Sequence, residues 1–186
     1  PININKQRPI IIYAGGLTKI RGIKEIIQAM EFVGEKAELW LLGKWESEEF
    51  KKECESLKGW RYTKYLGLKP LEEVYMYLKC ADIGLHCVCR IKRYMMGLPI
   101  KVFEYAVARL PIIISDSAYW KNKFGECALF VNPYDPKEIA EKILYFLNNP
   151  DKAKKLGDNG RKLVEEKYSW EIESQKLIDL YKEILQ

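Results

Sequence analysis

Two glycines stand directly after a short apolar run in the segment Ala14-Gly15-Gly16-Leu17-Thr18-Lys19-Ile20-Arg21-Gly22. Glycine lets backbone N–H groups approach a ligand closely, and the start of a following helix favours negative charge. Arg21 falls at that helix start, where a guanidinium can grip phosphate oxygens at two points. The segment is neither Gly-x-Gly-x-x-Gly nor a Walker loop. Anion binding and a plain tight turn beside a surface arginine both fit the spacing. A second segment, Gly97-Leu98-Pro99-Ile100-Lys101-Val102-Phe103-Glu104-Tyr105-Ala106, turns into a short helix expected to carry Glu104 close to its start. A carboxylate there faces the positive end of the peptide dipoles. It can accept two hydrogen bonds from a vicinal diol such as the ribose 2′ and 3′ hydroxyls, or it can simply stabilise the helix terminus.

Other chemistry-bearing residues are less organised. His86, Cys87 and Cys89 form a His-Cys-x-Cys cluster at a strand end. Adjacent strand residues point to opposite faces and no further Cys or His completes a tetrahedral set, so no metal is expected. His86 is read as lining a cleft or as a satisfied core histidine, and no neighbouring Ser or Cys makes a nucleophilic triad with it. Asp82 and Asp116 lack a second carboxylate spaced for hydrolysis. Asp82 is therefore read as structural, and Ser115-Asp116 as capping a turn on the ligand side. Trp45, Trp60, Trp120 and Trp170 are scattered rather than interleaved with basic residues, which argues against a nucleic-acid partner. In Tyr168-Ser169-Trp170-Glu171, Ser169 is expected to cap a helix and Trp170 to anchor its packing.

The elements that position these residues show as alternating patterns. Apolar, β-branched runs occur at Ile10–Ala14, Leu39–Leu42, Ile83–Val88, Pro111–Ile114 and Leu129–Val131, with a weaker one near Tyr62–Leu66. They are apolar on both faces, as strands covered by helices on both sides are. Helical patterns lie between them, around Ile23–Met30, Glu46–Leu57, Leu71–Lys79 and Lys101–Ala108. Asp135-Pro136-Lys137-Glu138 opens a further helix with an N-cap, a first-turn proline and a glutamate three residues on. Leu177, Leu180, Tyr181, Ile184 and Leu185 mark an amphipathic C-terminal helix. This alternation implies an α/β fold with a doubly wound, parallel six-stranded sheet and helices on both faces. Ligands bind such sheets beyond the carboxyl ends of the strands, where the two glycine-containing segments fall.

Composition narrows the class. The 186 residues suit one domain or one half of a two-lobed enzyme. With 48% hydrophobic and 31% charged residues, collagen-like, low-complexity and wholly disordered chains are excluded. A net charge of +5 is spread along the chain, which suits mild attraction to anionic ligands or an anionic membrane face better than nucleic acid. No apolar run approaches the roughly 20 residues that span a bilayer, and the start lacks a signal-peptide pattern. Cys54, Cys80, Cys87, Cys89 and Cys127 contain no Cys-x-x-Cys pair, which favours free thiols in a reducing compartment. The chain begins at Pro1, so a preceding portion is expected, with residues 1–8 as a linker into a domain at 9–186.

A resemblance unites the motifs. Tyr13-Ala14-Gly15-Gly16, Arg21-Gly22-Ile23, Leu66-Gly67 and Ala81-Asp82-Ile83-Gly84-Leu85 fall in one order with Pro99-x-Lys101-x-Phe103-Glu104-Tyr105. Leu110-Pro111-Ile112-Ile113, Tyr168-Ser169-Trp170-Glu171 and Tyr181 complete the set. From about Ile10 to Leu185 the chain resembles the C-terminal, donor-binding domain of a family 4 (group 1) glycosyltransferase of GT-B fold. The resemblance implies one Rossmann-like lobe that holds a nucleoside diphosphate sugar, with an N-terminal lobe of the same longer chain holding the acceptor. It implies sugar transfer with retention, in glycan or glycolipid synthesis, without metal or other cofactor. Arg21 occupies the position of the family's diphosphate-contacting lysine, and Glu104 that of its ribose-binding glutamate. The Gly15-Gly16 backbone joins the diphosphate site. Lys101 either helps neutralise phosphate or is a solvated helix-start lysine. Met96, Gly97, Leu98 and Pro99 form the loop expected near the sugar. Two departures stand out: Gly16 replaces an arginine that many relatives carry, and Met96 replaces the first of the paired glutamates. A non-catalytic nucleotide-sugar-binding module and a sugar-nucleotide epimerase of GT-B type share these features. The expected location is cytoplasmic, with peripheral contact at the inner membrane face if the acceptor is lipid-linked.

Overall fold

Each apolar run forms a strand, because a strand buried on both faces pairs with neighbours that are equally apolar. The computed structural model describes residues 6–185, so the first five residues of the expected linker, and Gln186, lie outside the described residues. Strands β1 (Ile10–Ala14), β2 (Glu38–Leu42), β3 (Thr63–Gly67), β4 (Ile83–His86), β5 (Ile112–Ser115) and β6 (Ala128–Val131) form one sheet. Their order is β3-β2-β1-β4-β5-β6, and every pairing is parallel. This is the doubly wound, Rossmann-like order, with its switch point between β1 and β4.

The helices are α1 (Ile23–Val33), α2 (Glu48–Glu55), α3 (Leu71–Cys80), α4 (Lys92–Met95), α5 (Ile100–Val107), α6 (Ala118–Phe124), α7 (Pro136–Asn148), α8 (Pro150–Lys167) and α9 (Trp170–Ile184). None of the described helices is long and apolar enough to cross a membrane. Strand side chains alternate between two cores. Ile11, Tyr13, Leu39, Leu41, Leu85 and Ile113 pack with Ile23, Ile26 and Ile27 of α1 and with Ile139 and Ile143 of α7. Ile10, Ile12, Trp40, Leu42, Ile112 and Ile114 pack with Val102, Tyr105 and Ala106 of α5 and with Trp120 and Phe124 of α6. The helix after β1 thus covers one face and the helix after β4 the other, so the two connections part above adjacent strands and leave a crevice between them.

Local chemistry sets the element ends. Asp135 caps α7 by accepting from Lys137 N–H and Glu138 N–H, Pro136 fills the first turn, and the Glu138 carboxylate turns back to Asn132 N–H at 3.1 Å. Ser47 caps α2, accepting from Phe50 N–H, so that helix starts at Glu48 rather than Glu46. Strand β4 ends at His86 rather than Val88, and the buried Ser115 hydroxyl donates to the Val88 carbonyl at 2.7 Å. Asp82 has the structural place expected of it, accepting from Ile10 N–H at 2.7 Å at the opposite end of the sheet from the crevice. Its carboxylate also pairs with Lys6 at 2.6 Å.

Three helices, α4, α6 and α8, had no counterpart in the sequence pattern. Helix α8 rests on α5 through two buried glycines; a Cβ at Gly157 would stand 2.1 Å from the Arg109 carbonyl oxygen, and one at Gly160 would stand 3.3 Å from Ala106 Cβ. Trp170 is not the expected packing anchor. It is 73% exposed, and α9 has no buried residue among those described, because its apolar stripe meets no other described element closely enough to be covered. Ser169 is the α9 N-cap by position, but its side chain makes no capping hydrogen bond.

Candidate functional site

Arg21 closes a single 3-10 turn, Lys19–Arg21, just before α1. The turn is held against the end of β4: Cys89 N–H donates to the Ile20 carbonyl at 2.8 Å. Gly22, at φ +66°, lies so close that a Cβ would stand 2.0 Å from the Cys87 carbonyl oxygen. Only glycine satisfies that approach and that backbone conformation together. On the other side, Gly15 N–H donates to the Leu42 carbonyl at 2.8 Å, so the loop after β1 leans toward β2 and away from β4. The crevice opens between them.

Helix α5 supplies the facing wall. Tyr105 is buried, and its hydroxyl accepts from Ala14 N–H at 3.1 Å, which fastens α5 to the end of β1. Gly84 makes room for that ring, since a Cβ there would stand 2.6 Å from it. Fixing Tyr105 fixes Lys101 and Glu104 on the same helix. Below them, Trp120 Nε1–H donates to the Gly97 carbonyl at 2.8 Å and the Ser117 hydroxyl to the Met95 carbonyl at 3.1 Å, which anchors the loop ahead of α5.

The result is a cleft of about 440 Å³ lined by Gly15, Arg21, Gly97, Leu98, Pro99, Lys101 and Glu104, together with His86, Arg93 and Tyr94. The donor-site residues expected from the sequence, Gly16 and Met96 apart, therefore meet in one place, with His86 beside them. Gly16 lines an adjoining pocket of about 290 Å³ that shares Ala14, Gly15 and Glu104 with the cleft and extends to Leu68, Lys69 and Leu71. Met96 lines neither and is 63% exposed.

The electrostatics centre on Lys101. It is 8% exposed, and its Nζ has no hydrogen-bond partner among the described residues. The solvated-lysine alternative is thereby removed. Nζ lies 3.8 Å from the centroid of the Tyr13 ring, and a Cβ on Gly15 would stand 2.7 Å from it. Burial, reinforced by the Arg21 guanidinium and opposed by Glu104, holds its pKa well below the ordinary 10.5. His86 is buried with its ring 5.3 Å from that of Trp120. Burial first, then the charges of Lys101 and Arg21, keep its pKa well below the usual histidine value. The Tyr13 hydroxyl donates to the Gly16 carbonyl at 3.1 Å and is pushed up to about 12 by burial, against the pull of Arg21 beside it.

Glu104 is half-buried, and burial raises its pKa, with Lys101 opposing. It does not owe its place to the helix dipole. Helix α5 starts at Ile100, so Glu104 is its fifth residue, beyond the first turn where that field acts. Sequence reasoning passed over Tyr13 and Tyr105 as functional supports, and over Arg93 as lining. The available signal was a hydroxyl-bearing residue inside an otherwise aliphatic strand, directly before the glycines. Among the described residues, no group of three or more His, Cys, Asp and Glu side chains could hold a metal ion.

The fold that carries this cleft has counterparts among known proteins. The family described as Glycosyl transferases group 1 matches residues 1–163. The chain belongs to this family. Among group 1 relatives, the chain is 25% identical over 181 residues to the capsular polysaccharide biosynthesis glycosyltransferase CapM of Staphylococcus aureus, covering 95% of this chain and 46% of CapM. Sucrose-phosphate synthase from Thermosynechococcus elongatus shares the fold with a TM-score of 0.85 at 21% identity, over 98% of this chain and 47% of that one. Anabaena HepE, solved in complex with UDP, matches with a TM-score of 0.81 at 14% identity, over 94% of this chain and 49% of that one. The chain thus spans about half the length of the curated relatives it matches, and its sheet is that of one GT-B lobe.

Proposed function

We propose that this chain is the donor-binding half of a retaining glycosyltransferase, binding a nucleoside diphosphate sugar whose sugar passes to an acceptor hydroxyl. One observation carries the reading: a buried lysine amine without a partner stands beside Arg21 in the same cleft as Glu104. A buried polar group of this kind is costly unless a ligand completes it. Arg21, Lys101 and the Gly15-Gly16 backbone hold the diphosphate. Glu104 accepts hydrogen bonds from the ribose hydroxyls, and the loop Gly97–Pro99 lies over the sugar. The adjoining pocket at Leu68, Lys69 and Leu71 seats the base. When the bond from the anomeric carbon to the diphosphate breaks, negative charge grows on the leaving oxygens, and the two basic side chains stabilise it in place of a metal. HepE, part of which shares this fold, is solved in complex with UDP, which supports a nucleotide ligand for this chain.

A preceding N-terminal lobe supplies the acceptor site in this reading, with residues 1–8 as the connection. The setting is glycan or glycolipid synthesis in the cytoplasm, at the inner membrane face where the acceptor is lipid-linked. Calorimetric titration with UDP, GDP, ADP and their sugar conjugates tests the site. At least one is expected to bind, and Glu104→Ala is expected to cost about 2 kcal/mol, roughly thirtyfold in affinity. Absence of binding by every one of them would refute the assignment.

A further inference from the structure

We propose that the cleft takes up a proton together with its diphosphate ligand, and that Lys101 is the group that receives it. This rests on the nucleotide-binding reading above. The geometry is specific. The Lys101 amine is enclosed by the Tyr13 ring from β1, the Gly15 backbone, the Arg21 turn and the end of β4 carrying His86, with Glu104 one helical turn further along its own helix. Among the described residues it has no acceptor to donate to. The charged form gains the Tyr13 face and a distant carboxylate; it loses hydration and faces the Arg21 guanidinium. Burial and like charge win, so the free cleft shifts the amine toward its neutral form. An arriving diphosphate reverses both terms, because its oxygens accept from the ammonium and its negative charge offsets Arg21. The balance is simple: the amine gains one proton from solvent, and no bond of the ligand is made or broken.

The other titrating groups around the cleft behave differently. Arg21 and Arg93 line the cleft with guanidinium groups. Tyr13, at about 12, keeps its proton in the neutral range. Burial raises the Glu104 pKa, with Lys101 opposing. His86 is the one competitor for the proton.

The experiment titrates the full chain with UDP-glucose, GDP-mannose and ADP-glucose, whose diphosphate diesters do not titrate in the range used. Each is run in two buffers of equal pH and different ionisation enthalpy. At pH values above its lowered pKa in the free cleft, we expect uptake approaching one proton and affinity falling toward tenfold per unit of rising pH. Lys101→Arg, permanently charged, is expected to bind without uptake and with a flat profile. Binding with equal apparent enthalpies in both buffers overturns the inference and leaves the nucleotide reading intact. No binding by any of the three overturns both. Uptake that survives in Lys101→Arg and Lys101→Met but disappears in His86→Gln assigns the proton to the imidazole and overturns the role of Lys101.

Discussion

Replacing Lys101 by methionine should stabilise this protein while weakening its binding of diphosphates. Methionine matches the length of the lysine stem, so the space beside Tyr13 and Gly15 stays filled. What disappears is a buried polar atom without a partner, a cost of about 1–3 kcal/mol. The contact with the Tyr13 ring offsets part of that only in the charged form, which the free cleft disfavours. A net gain of about 1 kcal/mol raises the melting temperature by about 2–4 °C in a domain of this size. The pH dependence separates this from simple repacking. The folded pKa of Lys101 lies well below the ordinary 10.5, so the unfolded chain binds the extra proton between those two values and wild-type stability rises with pH across that window. The advantage of Lys101→Met should therefore shrink as pH rises from the lowered folded pKa toward the ordinary lysine value. Scanning calorimetry at several pH values reads this directly. A methionine variant that folds but melts below wild type at neutral pH would refute the reasoning, because the amine would then have to be satisfied.

Other perturbations separate the remaining roles. Arg21→Ala should weaken binding of nucleoside diphosphates far more than of nucleosides, and equal losses for the two would remove its phosphate role. Because burial raises the Glu104 pKa above 4.5, wild-type affinity should fall as pH drops through that raised value, while Glu104→Gln should bind weakly with no such decline; paired titrations across the acid range check it. Tyr105→Phe leaves Ala14 N–H without its acceptor and should cost about 1–3 kcal/mol in denaturant unfolding. A loss below about 0.5 kcal/mol would show that water replaces the hydroxyl.

The strands were legible because burial on both faces leaves one reading for Ile10–Ala14 or Ile112–Ser115, and parallel pairing then dictates the layers. The meeting of Arg21 and Glu104 was legible only through the ordered loops, since 83 positions separate them in the chain and no local pattern links them. The burial of Lys101 was not legible. It follows from Gly15 lacking a side chain and from the Tyr105 bond that sets α5 over β1, both of which are tertiary facts. The same holds for α8, whose glycines read as helix breakers in isolation yet permit close packing on α5. Trp170 misled for the opposite reason: an aromatic at a helix start suggests an anchor, but anchoring needs a surface opposite it.

The glycine pair of α8 makes the aperture of the cleft a property of the far side of the molecule. Helix α5 carries an amine and a carboxylate on its front and is braced from the rear by bare backbone at Gly157 and Gly160. A side chain at Gly157 would meet the backbone of the turn that ends α5, and one at Gly160 would press on Ala106, so the seat of both cleft groups depends on contacts that line no part of the cleft.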